Sequence, residues 1–115
     1  MFYKCTSLTT VDMSGFNTEN VTTMESLFRE CNNLSTLNLS GLTTKNVTTM
    51  KNMFYSCSKL TTLDLTSFDT TATTDMSGMF RSCSNLATVY VGSKWVENGT
   101  ASDIWGSGGS KAVVQ

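Results

Sequence analysis

The sequence contains no histidine and no proline, few charges and no long apolar run. Without histidine, the chain lacks the usual neutral-pH proton acceptor and the commonest metal ligand, and a cysteine nucleophile would have no imidazole partner. Lys, Arg, Asp and Glu make up only 15% of residues and the formal net charge is −1. That balance supplies neither the counterion release that drives nucleic-acid binding nor a polybasic patch for anionic lipid. No stretch approaches the roughly 18–20 apolar residues of a membrane span, so direct membrane insertion is not expected. The opening residues, MFYKCTSL, have no apolar core of a signal peptide. Absence of proline leaves nothing to break regular stacking.

What the sequence has is repetition. Cys5, Cys31, Cys57 and Cys83 stand at intervals of 26 residues. The segment from Cys31 to Ser56, CNNLSTLNLSGLTTKNVTTMKNMFYS, aligns with CTSLTTVDMSGFNTENVTTMESLFRE before it and CSKLTTLDLTSFDTTATTDMSGMFRS after it. A fixed period of this length is the mark of a solenoid, each copy resting on its neighbours. Met1 aligns with Leu27, Met53 and Met79, each followed by Phe. The chain is therefore read as starting within a repeat, as a fragment of a longer array.

Each period has two halves. In LTTVDM (8–13), LSTLNL (34–39), LTTLDL (60–65) and LATVYV (86–91), apolar and polar residues alternate near the end, which predicts strands with one buried face. Stacked one per coil, they predict a single parallel sheet with neighbours about 4.8 Å apart. In the second half, Val21, Met24, Leu27, Phe28 and Cys31 step by three, three, one and three, as do Val47, Met50, Met53, Phe54 and Cys57. That spacing predicts short helices, with Asn20 and Asn46 as N-caps or Thr22 and Glu25 as a capping box. Ala72 and Thr73 replace Asn-Val in the third copy, so that helix should start late or fray. Phe16, Leu42 and Phe68 should plug the coils. Helices about 10 Å wide opposite strands about 5 Å apart would splay one side and make the sheet concave.

The expected fold is thus α/β, a right-handed leucine-rich-repeat-like solenoid over residues 1–93. Lys94 to Trp105 loses the repeat but offers Trp95, Ile104 and Trp105 to cover the last open layer, so it reads as a cap. Residues 106–115 begin GSGGS and read as a flexible tail in which Ala112 to Val114 add a short strand at most. The first coil has no such cap, which points to upstream coils or to chain–chain contact there.

The combination L-x-x-L-x-L-S-x-F, N-V-T-x-M and M-F-x-x-C-x-x-L resembles the BspA-like leucine-rich repeats of bacterial surface proteins and lipoproteins. It extends over about Met1 to Val91, departing from the pattern at Leu42 and at Ala72-Thr73. The resemblance implies a leucine-rich-repeat-like fold at the cell surface or in secreted protein, and a role in adhesion or host contact.

Catalysis finds little support. Asp12 and Asp64 share one strand position two coils apart, roughly 10 Å, near the spacing of inverting glycosidases, but an open sheet offers nothing to raise either pKa. No dense oxygen-ligand loop suits calcium, and no cofactor is implied. Helix-side spacing of about 8–10 Å argues against bridging the cysteines, whose Cα atoms would need to lie about 4.4–6.8 Å apart; buried free thiols are expected. The Asn20 and Asn46 sequons read as helix starts before glycan acceptors. What remains is the outward strand face: Thr10, Thr36, Thr62 and Thr88 in one file, Asp12, Asn38, Asp64 and Tyr90 beside it. The second file is too mixed for an ice-binding lattice. These eight residues are the candidate ligand face, for a protein or glycan on a host or neighbouring cell. Two other readings stay open: a spacer whose strand face is merely soluble, and a receptor-contact part of a phage tail.

Overall fold

The computed structural model describes residues 2–115, so Met1 and its alignment with Leu27 lie outside the described residues. Its elements are β1 (Thr10–Asp12), β2 (Thr36–Asn38), β3 (Thr62–Leu65), β4 (Thr88–Val91), α1 (Ala101–Trp105) and β5 (Ala112–Val114). All strand pairs are parallel, in two small sheets ordered β1-β2 and β3-β4-β5, with no closed barrel. Thr10 lies opposite Thr36 and Thr62 opposite Thr88, so β1 pairs with β2 and β3 with β4 at an offset of 26 residues. The strands form where the alternation predicts. Val11, Leu63, Leu65, Val89 and Val91 point into the core while Thr and Asp neighbours face out.

One continuous sheet was expected, and instead the ladder breaks between β2 and β3. Glycine explains where. A Cβ on Gly41 would lie 2.3 Å from the Ser14 carbonyl oxygen, and one on Gly92 would lie 2.5 Å from that of Thr66. Those two close approaches, possible only without a side chain, join β1 to β2 and β3 to β4. At the β2–β3 step the residues in these positions are Thr66 and Ser67, both of which carry side chains. The amides of Asn33 and Asn85 also brace the paired steps, donating to Thr6 O and Ser58 O. Lys59 occupies the equivalent place at the broken one.

The predicted helices are not there. Residues 24–31, 50–57 and 76–83 are runs of tight turns, and Asn20, Asn46, Thr22 and Glu25 cap nothing. Leu27 N–H bonds Met24 O and Cys31 N–H bonds Phe28 O. The third turn residues, Ser26 and Glu30, have φ of 58° and 61° while the second ones stay negative, which makes these type II turns. Asn52, Ser56, Gly78 and Ser82 repeat the arrangement. Intervening N–H groups point to the next copy instead: Met24, Ser26, Phe28 and Glu30 donate to the carbonyls of Thr49, Lys51, Met53 and Tyr55. The following copy does the same toward Asp75, Ser77, Met79 and Arg81. A helix would spend those groups internally and hold neighbours about 8–10 Å apart. The turns let Phe2, Phe28, Phe54 and Phe80 stack at 5.3, 5.7 and 5.6 Å. The spacing 3, 3, 1, 3 suits both geometries, because the inward residues of two successive turns fall on the same positions.

Two expectations go with the helices. Turn-side neighbours lie near 5.5 Å, so neither the helix-width reason for a concave sheet nor the spacing argument against bridging the cysteines applies. The four thiols are nonetheless free, and those of Cys31, Cys57 and Cys83 donate to Phe2 O, Phe28 O and Phe54 O. Leu42 and Phe68 do plug the interior at 3% and 1% exposure, but Phe16 is 45% exposed. It rims an apolar hollow of about 420 Å³ with Met13, Val21 and Leu27.

Buried threonines, which the sequence analysis did not single out, complete the stack. Thr18, Thr44 and Thr70 are buried. Thr44 Oγ1 donates to Asp69 O and accepts Asp69 N–H, and Thr18 does the same with Thr43. Thr73, in the valine position, keeps that shape and donates its hydroxyl to Val47 O at 2.8 Å. At the far end Ile104 and Trp105 are buried, and Trp105 stacks on Phe80 at 4.2 Å. Glu97 accepts both indole N–H groups, from Trp95 and Trp105. Within the segment read as a tail, the short strand expected at Ala112 to Val114 is present as β5, with Ala112 opposite Val89.

Candidate binding face

Seven of the eight outward residues, Thr10, Asp12, Thr36, Asn38, Thr62, Asp64 and Tyr90, are exposed, and Thr88 is half-buried. Strand pairing brings them together as Thr10–Thr36 and Asp12–Asn38 on one sheet, and Thr62–Thr88 and Asp64–Tyr90 on the other. The gap between β2 and β3 leaves two groups of four where one continuous field was expected.

The two files differ chemically. Among the described residues the hydroxyls of Thr10, Thr36, Thr62 and Thr88 make no hydrogen bond within the protein, so each retains a donor and an acceptor for an outside partner. The neighbouring file is partly committed. Asp12 Oδ1 accepts Ser14 N–H at 2.9 Å. Asn38 Oδ1 accepts both the N–H and the hydroxyl of Ser40, and Asp64 Oδ1 accepts both from Thr66. These bonds close the turn by which the chain leaves each strand.

Their electrostatic effect is uniform. The Ser14 backbone N–H, helped by its side chain, holds the Asp12 carboxyl below the usual carboxylate range. The Thr66 hydroxyl and then its N–H do the same for Asp64. Both carboxylates are charged at neutral pH, and neither is arranged to carry a proton to a leaving group. Burial pushes the Cys83 thiol up to about 11 and that of Cys57 higher still, the opposite of what a nucleophile needs. Among the described residues no group of three or more His, Cys, Asp or Glu is placed to hold a metal ion. Among the described residues no helix is long and apolar enough to cross a membrane.

The face also has a member the sequence analysis missed. Val113 of β5 lies opposite Tyr90 and is 43% exposed, which widens the aromatic end into an apolar patch. The apolar, β-branched run Ala112 to Val114 carried that signal, but three residues after a glycine-rich run are a weak one.

No curated protein and no solved structure matches this chain. A family pattern covers residues 1–103, nearly the whole of the described fold. The chain belongs to the family described as Mycoplasma protein of unknown function, DUF285.

Proposed function

We propose that the chain is a non-catalytic binding module of a bacterial surface or secreted protein, built as a leucine-rich-repeat-like solenoid of 26-residue coils akin to the BspA-like repeats. Its ligand would be a protein or glycan on a host or neighbouring cell, met by the outward strand face in adhesion. The observation that carries this reading is the file of four unspent threonine hydroxyls ending beside the exposed Tyr90–Val113 pair. Hydroxyls in register within each pair, Thr10–Thr36 and Thr62–Thr88, give paired donors and acceptors at sheet spacing. An aromatic with one wet edge is the usual anchor of a polar interface. The depressed carboxyls and the raised thiols favour binding over turnover.

A second reading, a spacer holding other parts of a protein away from the cell envelope, draws on the committed side chains. Asp12, Asn38 and Asp64 serve their own strand exits, as solvent-facing turn residues do. Screening against glycan and extracellular-matrix arrays separates the two, beside a triple variant Thr36→Lys, Thr62→Lys and Tyr90→Ala. Binding that disappears in the folded variant supports the module. Absence of any hit from folded protein favours the spacer.

A further inference from the structure

Away from the strand face, a hollow of about 460 Å³ lies between the last turn of the repeats and the returning tail. That is the size of a small-molecule site, which typically measures about 300–1,000 Å³. Its polar lining is Arg81, Lys111 and the hydroxyls of Ser82, Ser84 and Ser107, and no Asp or Glu lines it. Among the described residues none of these five side chains makes a hydrogen bond or ion pair within the protein. Glu97, bonded to the lining Trp105, is occupied by Trp95, Trp105 and Ser110. Two cations and three hydroxyls thus converge on one concavity with their bonding capacity unspent.

The walls are built, not loose. Trp105 stacks on Phe80 at one end. At the other, Val89 N–H bonds Lys111 O at 3.0 Å and Gln115 N–H bonds Val91 O at 2.8 Å. The tail glycines let the backbone fold in close: Gly106 has φ 81° and would place a Cβ 3.5 Å from Arg81 Cγ. Lys111 Nζ lies 3.2 Å from where a Cβ on Gly108 would stand. The glycine-rich stretch therefore shapes the hollow. The apolar floor, Phe80, Leu86 and Trp105, is almost wholly buried, so little greasy surface is offered to a ligand.

We infer that this hollow binds a carboxylated monosaccharide. The carboxylate sits against Arg81, whose planar fork matches it, and Lys111. The ring hydroxyls exchange hydrogen bonds with Ser82, Ser84 and Ser107, each both donor and acceptor. A lipophilic anion would lack apolar contact, and a neutral sugar would leave two cations uncompensated.

The site is independent of the strand face, and its test is separate. Backbone amide shifts of the full chain are followed while D-glucuronate is titrated, with D-glucose, acetate and sulfate as comparison ligands. The inference expects saturable shifts at Ser82, Ser84 and Ser107 with D-glucuronate. Affinity should fall about tenfold in Arg81→Gln and in Lys111→Gln, the loss of one charge-assisted contact, and stay unchanged in Lys45→Gln, an exposed lysine outside the hollow. No saturable shift overturns it. So does equal affinity for D-glucose, which removes the role of the cations, or for acetate or sulfate, which removes that of the hydroxyls. Arg81 is exposed and Lys111 half-buried, and neither side chain is hydrogen-bonded among the described residues, so the variants' spectra should otherwise match the parent protein.

Discussion

Replacing Thr44 by Val tests whether buried hydroxyls, rather than apolar packing alone, hold neighbouring copies in register. The two side chains have nearly the same shape, so the substitution exchanges one hydroxyl for one methyl. Thr44 is 1% exposed, and its Oγ1 accepts Asp69 N–H at 2.8 Å and donates to Asp69 O at 3.0 Å. In the variant both peptide groups face a methyl group. Each orphaned buried group costs about 1–3 kcal/mol, and burying the new methyl returns about 0.8 kcal/mol. The expected net loss is about 1–5 kcal/mol, centred near 3 kcal/mol. Urea unfolding followed by tryptophan fluorescence measures it, since Trp95 and Trp105 lie at the far end and report on cooperative loss of the stack. Thr44→Ser keeps both hydrogen bonds, gives up only a methyl, and should cost about 1 kcal/mol. A Val variant within about 0.5 kcal/mol of the parent, or less destabilised than the Ser variant, would refute the reasoning.

Three further outcomes follow from the same contacts. Phe54→Ala should cost about 3–5 kcal/mol in urea unfolding, because the ring is fully buried between Phe28 and Phe80; Phe2→Ala, half-buried with one stacked neighbour, should cost clearly less. Asp64, Asp69 and Asp75 are held below their ordinary value of 3.8 by hydroxyl and N–H donors. A depressed folded pKa contributes stability above the unfolded value that is lost as pH falls through the folded one. The melting temperature should therefore drop as pH falls below 3.8, and less steeply in the triple Asp→Asn variant. In thiol titration at mildly alkaline pH, Cys57 should react only after unfolding, being buried, bonded to Phe28 O and raised in pKa. Rapid reaction of Cys57 in folded protein would contradict the packing.

How much was legible beforehand depends on which interaction left a trace in residue type. The strand register follows from alternation, since Val11 and Leu63 can be buried only if Thr10 and Thr62 face out. The turn side was misread because Met24, Leu27, Phe28 and Cys31 satisfy a helical stripe and a pair of type II turns equally well. The deciding facts were the positive φ of Ser26, Glu30 and Ser56, residues that do not announce that conformation, although Asn52 is of a type that tolerates it. Asn52 and Gly78, at one position in successive copies, were the visible hints. The sheet break had a sequence signal too, glycine at 41 and 92 against Ser67 between them, but its meaning depends on backbone distances. Thr18, Thr44 and Thr70 look like any surface threonine in a threonine-rich chain; only their 26-residue interval marks them. On the candidate face, composition placed the eight residues outward. It did not reveal that Asp12, Asn38 and Asp64 are tied to their own turns, or that the tail adds Val113.

The whole account rests on interchangeable 26-residue coils, and duplicating one tests it most directly. A second copy of residues 31–56 would be inserted after Ser56 and compared with a shorter insertion of residues 31–54, which is out of register. Interchangeable coils add one more core layer and one more interface, so the in-register insertion should raise both the urea midpoint and the m-value, which grows with buried surface. The shorter insertion should lower the midpoint. Equal behaviour of the two, or an in-register copy that remains a disordered loop with an unchanged m-value, would contradict the account.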